Sequence, residues 1–228
     1  MNFTLRSRAV VEFVGTAFLL MAIVGSGIMA ERLAGGNVAL ALFANSIATG
    51  AALVALILAL APISGAHFNP VVTLADAMQG GMPWREVPAY TVAQVAGAFG
   101  GVAAAHGMFG LPLLFASHRV RSGPALLWSE FIATFGLLAV IWGCARVRQS
   151  AVAFAVGGYI TAAYWFTSST SFANPAVTMA RAATDTFAGI RPADAPGFIL
   201  AQIAGAVVAS LLLRWLTVAQ PSQGKEKA

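Results

Sequence analysis

Charged side chains are scarce in this chain. Only 9% of its 228 residues are Asp, Glu, Lys or Arg, whereas 59% are hydrophobic. A soluble domain of this length cannot bury so much apolar surface, so the composition excludes the water-soluble classes and favours a lipid bilayer as the surroundings. The net charge of +5 comes from basic residues at the ends of apolar stretches and not from a patch, so we predict no nucleic-acid partner.

Cysteine is nearly absent, since Cys144 is the only one. A single thiol excludes an intrachain disulfide and a cysteine-rich metal site, and neither His106 nor His118 has an acidic cluster beside it. The sequence contains no nucleophile-elbow pattern and no glycine-rich phosphate loop. We therefore predict no metal, no cofactor and no enzymatic activity.

Long apolar stretches make up most of the chain. Each is about long enough, near 20 residues, to cross the hydrocarbon core of a membrane as a helix. The six predicted spans are 10–30, 38–63, 87–109, 125–145, 151–166 and 195–218. No run of alternating apolar and polar residues indicates an outer-membrane barrel. The predicted fold is therefore an all-α integral membrane protein with six transmembrane helices.

The basic residues predict how these spans are oriented. With the N-terminus inside, eight of them lie in cytoplasmic segments and five lie outside, a modest positive-inside bias. We therefore predict a multi-pass protein of the inner (plasma) membrane with both termini in the cytoplasm. The apolar run after Arg6 and Arg8 is similar to a secretory signal peptide, but its length and the second span after it indicate an uncleaved first helix.

Three sequence landmarks occur twice in the same order. EFVGTAFLL in the first span recurs as EFIATFGLL in the fourth, NPVVTLA recurs as NPAVTMA, and AQVAGA in the third span recurs as AQIAGA in the sixth. Residues 1–115 and 116–220 are therefore predicted to be two repeats within one domain, followed by a disordered tail at 221–228. Because each repeat contains an odd number of spans, the second must be inverted relative to the first.

Two Asn-Pro pairs predict the starts of short helices. The pairs are Asn69-Pro70 and Asn174-Pro175. Asn is a favoured N-cap, and proline at the first helical position lacks only a donor that the helix start does not use. Nine residues follow before Gly80 and thirteen before Gly189, too few to span, so we predict re-entrant half-helices that line a wet cavity. Inversion brings both starts to the bilayer midplane, where their partial positive charge opposes cations and their amides donate to neutral solutes.

The segments SGAHFNPVVT (64–73) and SFANPAV (171–177) resemble the two Asn-Pro boxes of the major intrinsic protein family, the aquaporins and aquaglyceroporins. The resemblance extends from Glu12 into the sixth span. It implies an aquaporin-like channel domain over residues 1–228, a passive pore for water and small neutral solutes, and assembly as a homotetramer. It also implies a second constriction near the outer mouth, the selectivity filter, formed by four positions.

Three filter positions of the family match Thr49, Ser171 and Val177 in this sequence. The fourth, in the fifth span, falls at Ala162 when counted from the second Asn-Pro box and at Tyr164 when counted from residues 155–157, and both remain candidates. Water channels of the family usually carry an aromatic residue at the position of Thr49. Almost all members carry arginine at the position of Val177.

The missing arginine is the main departure from the family pattern. Arginine would bring a fixed charge and five donors, and Val177 offers neither. With Thr49 in place of a ring, we expect a wide and rather apolar filter, which argues against a strict water channel. Thr178 stands where glycerol facilitators usually have aspartate. Residues 161–181 look most like a bacterial aquaglyceroporin branch associated with arsenic resistance, the AqpS type, which implies polyols, arsenite and methylated arsenicals as solutes.

Several ionisable residues have both a functional and a structural interpretation. Glu12 and Glu130 could relay protons, but their symmetric placement favours a role as acceptors for the backbone of the adjacent re-entrant loop. His67 could gate by protonation near about pH 6.5, and a structural role in fixing the loop is favoured. Arg181 could replace the missing filter arginine, but its extra helical turn favours a vestibule role or an ion pair with Asp185.

An ion-coupled secondary transporter of a small polar solute is the alternative function, because inverted repeats with broken helices also occur in transporters. Such a transporter would need unpaired carboxylates near the midplane. The carboxylates in the predicted spans are the symmetric pair Glu12 and Glu130. A passive channel is therefore the predicted function.

Overall fold

The computed structural model describes residues 3–216, and every regular element within this range is helical. The α-helices are α1 (Leu5–Leu33), α2 (Val38–Ser64), α3 (Pro70–Met78), α4 (Val87–Phe109), α5 (Pro124–Val147), α6 (Val152–Phe166), α7 (Pro175–Arg181) and α8 (Ala195–Leu216). Single-turn 3-10 helices cover Trp84–Glu86, Gln149–Ala151 and Pro192–Asp194. Two long helices, a short one and another long one therefore follow each other twice along the chain.

Five of these helices are long and apolar enough to cross a membrane. They are α1, α2, α4, α5 and α8, with α4 and α8 extended by the 3-10 turns before them. Helix α6 occupies the predicted fifth span, but its 15 residues fall below the length of about 20 that a span needs. The prediction of six spans is thus supported at five positions. The predicted tail at 221–228 and the end of the last predicted span lie outside the described residues.

The helices expose many large apolar side chains, and they bury two carboxylates. Val10, Val92 and Leu200 are 60%, 68% and 69% exposed, whereas Glu12 and Glu130 are fully buried. In a soluble protein, charged groups are mostly at the surface, where water solvates them. This distribution fits a chain whose outer surface faces lipid and whose interior holds a polar site.

The two short helices begin as the sequence predicts. Asn69 caps α3 and Asn174 caps α7 with extended backbones (φ −156° and −159°), and a proline follows each of them. Helix α3 ends close to Gly80, as expected. Helix α7 ends eight residues before Gly189, and beyond it the Ile190 N–H folds back to donate to the Arg181 carbonyl at 3.2 Å.

Glycines let the long helices pack closely enough to position the short ones. A methyl group on Gly97 of α4 would collide with the Phe13 carbonyl of α1, and one on Gly205 of α8 would collide with the Phe131 carbonyl of α5. Both glycines lie in the repeated AQ-x-AGA segments, so the same contact forms in each repeat. Small residues at helix interfaces allow this close approach in membranes. The pairs α1–α4 and α5–α8 thereby bring Glu12 and Glu130 beside the loops that precede α3 and α7.

Candidate functional site

Two asparagines connect the starts of α3 and α7. Asn69 Nδ2 donates to the Ala173 carbonyl at 2.8 Å, and Asn174 Nδ2 donates to the Phe68 carbonyl at 2.8 Å. Each Oδ1 meanwhile accepts from backbone N–H groups in the first turn of its own helix. A carboxamide has two N–H groups, so each asparagine keeps one donor beyond this cross-connection. The two short helices are therefore fixed start to start, with amide donors between them.

The residues before each asparagine adopt a left-handed backbone. φ is 49° at Phe68 and 47° at Ala173, one residue before each Asn, and 52° at Ala66 and 49° at Ser171, three residues before. Residues other than glycine rarely occupy this region, at a cost of about 1–3 kcal/mol each. The same strained conformation in both loops needs strong contacts to hold it.

Glu12 supplies these contacts in the first loop. Its carboxylate accepts from the backbone N–H groups of His67 at 3.0 Å and Phe68 at 2.7 Å. It also accepts from Ser64 Oγ at 2.7 Å and Gln94 Nε2 at 2.8 Å. A carboxylate offers about four acceptor positions, so all of them are occupied. These hydrogen bonds replace the contacts with water that the Glu12 carboxylate loses on burial, and they hold the first loop in place.

Glu130 makes the corresponding contacts in the second loop. It accepts from the backbone N–H groups of Phe172 at 2.9 Å and Ala173 at 2.8 Å, and from Gln202 Nε2 at 2.6 Å. Gln202 Nε2 also donates to Thr178 Oγ1 of α7 at 2.9 Å. The corresponding glutamine of the first repeat donates to α3 in the same way, at 2.9 Å. Both loops are therefore held between a glutamate and a glutamine from neighbouring long helices.

His67 lies within a group of polar and aromatic side chains. Its Nδ1 is 3.1 Å from Thr73 Oγ1, and its ring centroid is 5.5 Å from that of Tyr90. Its Nε2 is 3.8 Å from the nearer carboxylate oxygen of Asp76. These contacts connect the loop to α3 and α4.

A cavity of about 730 Å³ extends between the two repeats and past both asparagines. Arg8, His67 and Asp76 line the part beside α3, which we call the α3 half. The α7 half lies on the other side of Asn69 and Asn174, and residues at the predicted filter positions line it. The cavity therefore contains polar donors at its centre and at both ends.

Four predicted filter residues line the α7 half. Thr49, Tyr164, Ser171 and Val177 all contribute to its wall, and Thr49 Oγ1 lies 3.2 Å from Tyr164 Oη. Ser171 Oγ is buried without a hydrogen-bond partner among residues 3–216. Ala162 is exposed and does not line the cavity, so this candidate was wrong. Two residues apart on a helix point about 200° apart, so only one of the two candidates could face the cavity.

A close crossing of α2 and α6 brings Thr49 and Tyr164 together. A methyl group on Gly50 would lie 2.9 Å from the Gly157 carbonyl, and one on Gly157 would lie 2.7 Å from the Gly50 carbonyl. Any side chain at either glycine would separate the two helices. This crossing places the aromatic ring of Tyr164 beside Thr49.

Arg181 lies in the wall of the α7 half and not in a peripheral ion pair. It is only 2% exposed, its Nε donates to the Ala188 carbonyl, and its guanidinium carbon lies 3.4 Å from the ring centroid of Phe172. The expected ion pair with Asp185 was wrong. Asp185 accepts from the His118 N–H at 2.8 Å and lies 3.0 Å from His118 Nδ1. The backbone N–H of His118 contributes most to holding the pKa of Asp185 below its ordinary value.

Four residues contribute to this site although no sequence pattern marked them as site residues. Asp76 and Arg8 line the α3 half, and Gln94 and Gln202 hold the glutamates. The glutamines recur at matching places in apolar spans, and that recurrence was the available signal. Arg8 and Asp76 lie near the ends of their helices, where charged residues are common and carry no such signal.

Comparison with known proteins places this geometry in a family. The family model described as "Major intrinsic protein" matches residues 2–151 and again residues 143–228, so its matches cover both repeats. The chain is 56% identical over 215 residues to "Aquaglyceroporin AqpS" of Rhizobium meliloti (strain 1021), covering 94% of this chain and 92% of that protein. It is 34% identical to "Probable aquaporin AqpM" of Archaeoglobus fulgidus, covering 95% of this chain and 99% of that protein.

A solved structure supports the same fold. The aquaglyceroporin from Plasmodium falciparum superimposes with a TM-score of 0.69, covering 92% of this chain and 95% of that one at 22% identity. Members of the family are generally channels without enzymatic activity. The chain therefore belongs to the major intrinsic protein family and is a multi-pass membrane channel for water and small solutes.

Proposed function

We propose that this protein is a passive channel with six membrane-crossing helices, in two inverted repeats, and two half-helices that meet at the bilayer midplane. The observation that carries the proposal is a single cavity of about 730 Å³ that extends past Asn69 and Asn174. Helix α6 supplies the sixth crossing. With the 3-10 turn before it, α6 covers residues 149–166, at the short end of the range of about 17–25 residues for a span.

The midplane selects against charge. Both half-helices begin at Asn69 and Asn174, so the partial positive charges of two helix dipoles and the free amide donors face the same point of the cavity. A neutral solute oxygen accepts from these donors, whereas a cation meets two positive helix ends. Pro70 and Pro175 direct the helices away from this point by fixing their first turns.

The filter in the α7 half determines which neutral solutes pass. Thr49, Tyr164, Ser171 and Val177 form it, with three hydroxyl groups and no charge among them. Val177 is shorter than the arginine usual in the family, so the opening is wider. Such a filter suits solutes that carry several hydroxyl groups and are larger than water.

Glycerol-like polyols, arsenite and methylated arsenicals are the solutes that we propose besides water. Arsenite at neutral pH is an uncharged trihydroxy molecule, comparable to glycerol in its number of hydroxyl groups. The similarity to a protein named as an aquaglyceroporin supports polyol passage, and the wide filter supports the arsenicals. We propose an arsenic-resistance role on the same grounds.

We propose a homotetramer in the bacterial inner membrane, with each subunit holding its own pore and both termini in the cytoplasm. The α3 half of the cavity then opens to the cytoplasm and the α7 half opens outward. The excess of basic residues on the cytoplasmic side supports this orientation. Native mass spectrometry in detergent tests the tetramer directly.

Glu12, Glu130 and His67 support the loops and do not move protons in this proposal. The acceptor positions of Glu12 are filled by hydrogen bonds to the loop and to Gln94, and Glu130 is held equivalently. A coupled transporter needs a carboxylate that gains and loses an ion during each cycle. Carboxylates that hold strained loops are poorly suited to this task.

Shrinkage of proteoliposomes tests the proposed function. Light scattering should report rapid flux of water, glycerol and arsenite that rises linearly with solute concentration and needs no ion gradient. Flux that saturates at low solute concentration, or that requires a proton or sodium gradient, would support the transporter and contradict the channel.

Val177→Arg tests the filter. Arginine at this position refills the opening, so we expect glycerol and arsenite flux to fall at least about tenfold, while water flux stays within about twofold. Val147→Arg is the matched control, because Val147 is 80% exposed and does not line the cavity. Glycerol flux that survives Val177→Arg would contradict the filter assignment.

A further inference from the structure

The α7 half of the cavity is lined by a buried arginine, Arg181. Arg181 forms no ion pair with any residue in the described range 3–216, and neither does its neighbour Arg121. A buried charge outside any close ion pair is costly, so ionisable groups at membrane depth have a functional role by default. The contacts of Arg181 indicate what that role is.

The guanidinium of Arg181 is fixed against the wall of the cavity. Its central carbon lies over the Phe172 ring at 3.4 Å, and its Nε donates to the Ala188 carbonyl. A planar guanidinium stacks well on an aromatic face, and Phe172 is itself held edge to face by Phe198. Arg181 can therefore keep its charge at this depth without extending across the cavity.

The outer nitrogens of Arg181 remain available to the cavity. Only Nε is hydrogen-bonded within residues 3–216, and the two terminal nitrogens are not fully buried. Because Arg181 is 2% exposed in total and lines the cavity, that remaining access is to the cavity itself. The terminal N–H groups thus face passing solutes.

Arg121 reinforces the same region from the loop before α5. Its Nε donates to the Gly189 carbonyl at 2.8 Å, and its guanidinium carbon is 5.2 Å from the ring centroid of Phe172. The loop after α7 therefore directs the carbonyls of Ala188 and Gly189 to two arginines. These carbonyls stabilise the charges without neutralising them.

The position of Arg181 differs from that of the missing arginine by one helical turn. Val177 and Arg181 are four residues apart on α7, which is about 6 Å along a helix axis, so both face the same side. We propose that Arg181 is the specificity-determining cation of this channel, held flat on Phe172 so that it repels cations and donates to neutral solutes without narrowing the filter. The inference rests on the proposed function, because it assigns charge selection and solute size to different residues of the same pore.

Replacement of the charge tests this role. Arg181→Gln is tested in proteoliposomes in which the variant keeps the water flux of the wild type. We expect it to raise sodium and proton leak about tenfold or more, because the positive charge that Arg181 contributes to the low-dielectric pore is lost. Arg119→Gln is the matched control, since Arg119 lies at the same end of the protein, is 42% exposed in its side chain and pairs with Glu31. Water-permeable Arg181→Gln that excludes cations as well as the wild type overturns the inference.

Two further variants keep the test decisive if Arg181→Gln does not fold. Phe172→Leu keeps the charge but removes its support, so the guanidinium should enter the opening and lower the ratio of glycerol to water flux at least about threefold. An unchanged ratio overturns the proposed stacking role. The double variant Val177→Arg, Arg181→Gln moves the charge back by one turn, and we expect it to restore cation exclusion and to lose glycerol flux.

Failure of this inference is distinguishable from failure of the proposed function. If the wild type passes no neutral solute, the channel proposal is wrong whatever the cation leak. If the wild type passes neutral solutes and Arg181→Gln leaks no cations, only the assignment of Arg181 is wrong.

Discussion

Replacing Glu130 by glutamine should destabilise the whole α7 loop while changing only one functional group. Glu130 is fully buried and accepts from the N–H groups of Phe172 and Ala173 and from Gln202. A glutamine side chain offers one oxygen where the carboxylate offers two. Its NH₂ group must therefore face at least one donor, and the backbone N–H of Phe172 or Ala173 is left without an acceptor.

The size of the effect follows from that orphaned donor. A buried donor without a partner costs about 1–3 kcal/mol, and we take about 2 kcal/mol because Gln202 can reorient toward the new amide. For a chain of this size, about 2 kcal/mol corresponds to a fall in Tm of about 4–8 °C. The strained φ of 47° at Ala173 also loses part of its support, so glycerol flux should fall as well.

Thermal unfolding in detergent, followed by the fluorescence of a thiol-reactive or environment-sensitive dye, measures the shift. Glu31→Gln is the matched control, because the Glu31 side chain is 47% exposed and pairs with Arg119 at the surface. Exposed pairs contribute about 0–1 kcal/mol, so its Tm should change little. If Glu130→Gln and Glu31→Gln melt at the same temperature, the glutamate does not hold the loop and our reasoning is refuted.

Three other predictions follow from local contacts. Gly97→Ala should lower the yield of monodisperse protein after detergent extraction, because the added methyl group would collide with the Phe13 carbonyl. Gly100→Ala in the same helix should not, because its methyl group would meet nothing closer than 3.7 Å. Equal yields would refute the packing argument. Asn174→Asp keeps the helix cap but replaces the donor to the opposite loop by a carboxylate, so Tm should fall and cation leak should rise in proteoliposomes. The pKa of Asp185 is lower in the folded protein than in the unfolded chain, so its ionised carboxylate stabilises the fold at pH values above the unfolded pKa. This stabilisation is lost as the pH falls through the folded pKa. The Tm difference between the wild type and Asp185→Asn should therefore shrink below about pH 4. A difference that stays constant with pH would show that Asp185 contributes nothing through its charge.

The local features of the fold were predictable because they depend on neighbours in sequence. Asn followed by Pro determines where α3 and α7 begin, since the cap and the first turn involve only adjacent residues. Apolar length predicted the long helices, and the duplicated landmarks predicted that both halves share one arrangement. The fold of the loop after α7 was not predictable, because the Ile190 N–H donates to the Arg181 carbonyl and no local pattern indicates that contact.

The site was predictable only where a repeat or a family pattern marked a residue. Glu12 and Glu130 stood out as matched charges in apolar spans, whereas the choice between Ala162 and Tyr164 depended on the rotation of α6. That rotation is set by the crossing at Gly50 and Gly157, whose effect depends on two helices meeting. A sequence count cannot resolve a register that a distant helix imposes.

By itself, the sequence determined the membrane setting, the two repeats and the two helix starts, because composition and short-range hydrogen bonding require no knowledge of distant contacts. Only the tertiary structure decided the direction of Arg181. Its sequence spacing fitted an ion pair with Asp185, but Phe172 and the Ala188 carbonyl, brought close by the folded loop, hold it in the wall of the cavity. A long, flexible side chain can reach several alternative partners, and the fold determines which of them lie within its reach.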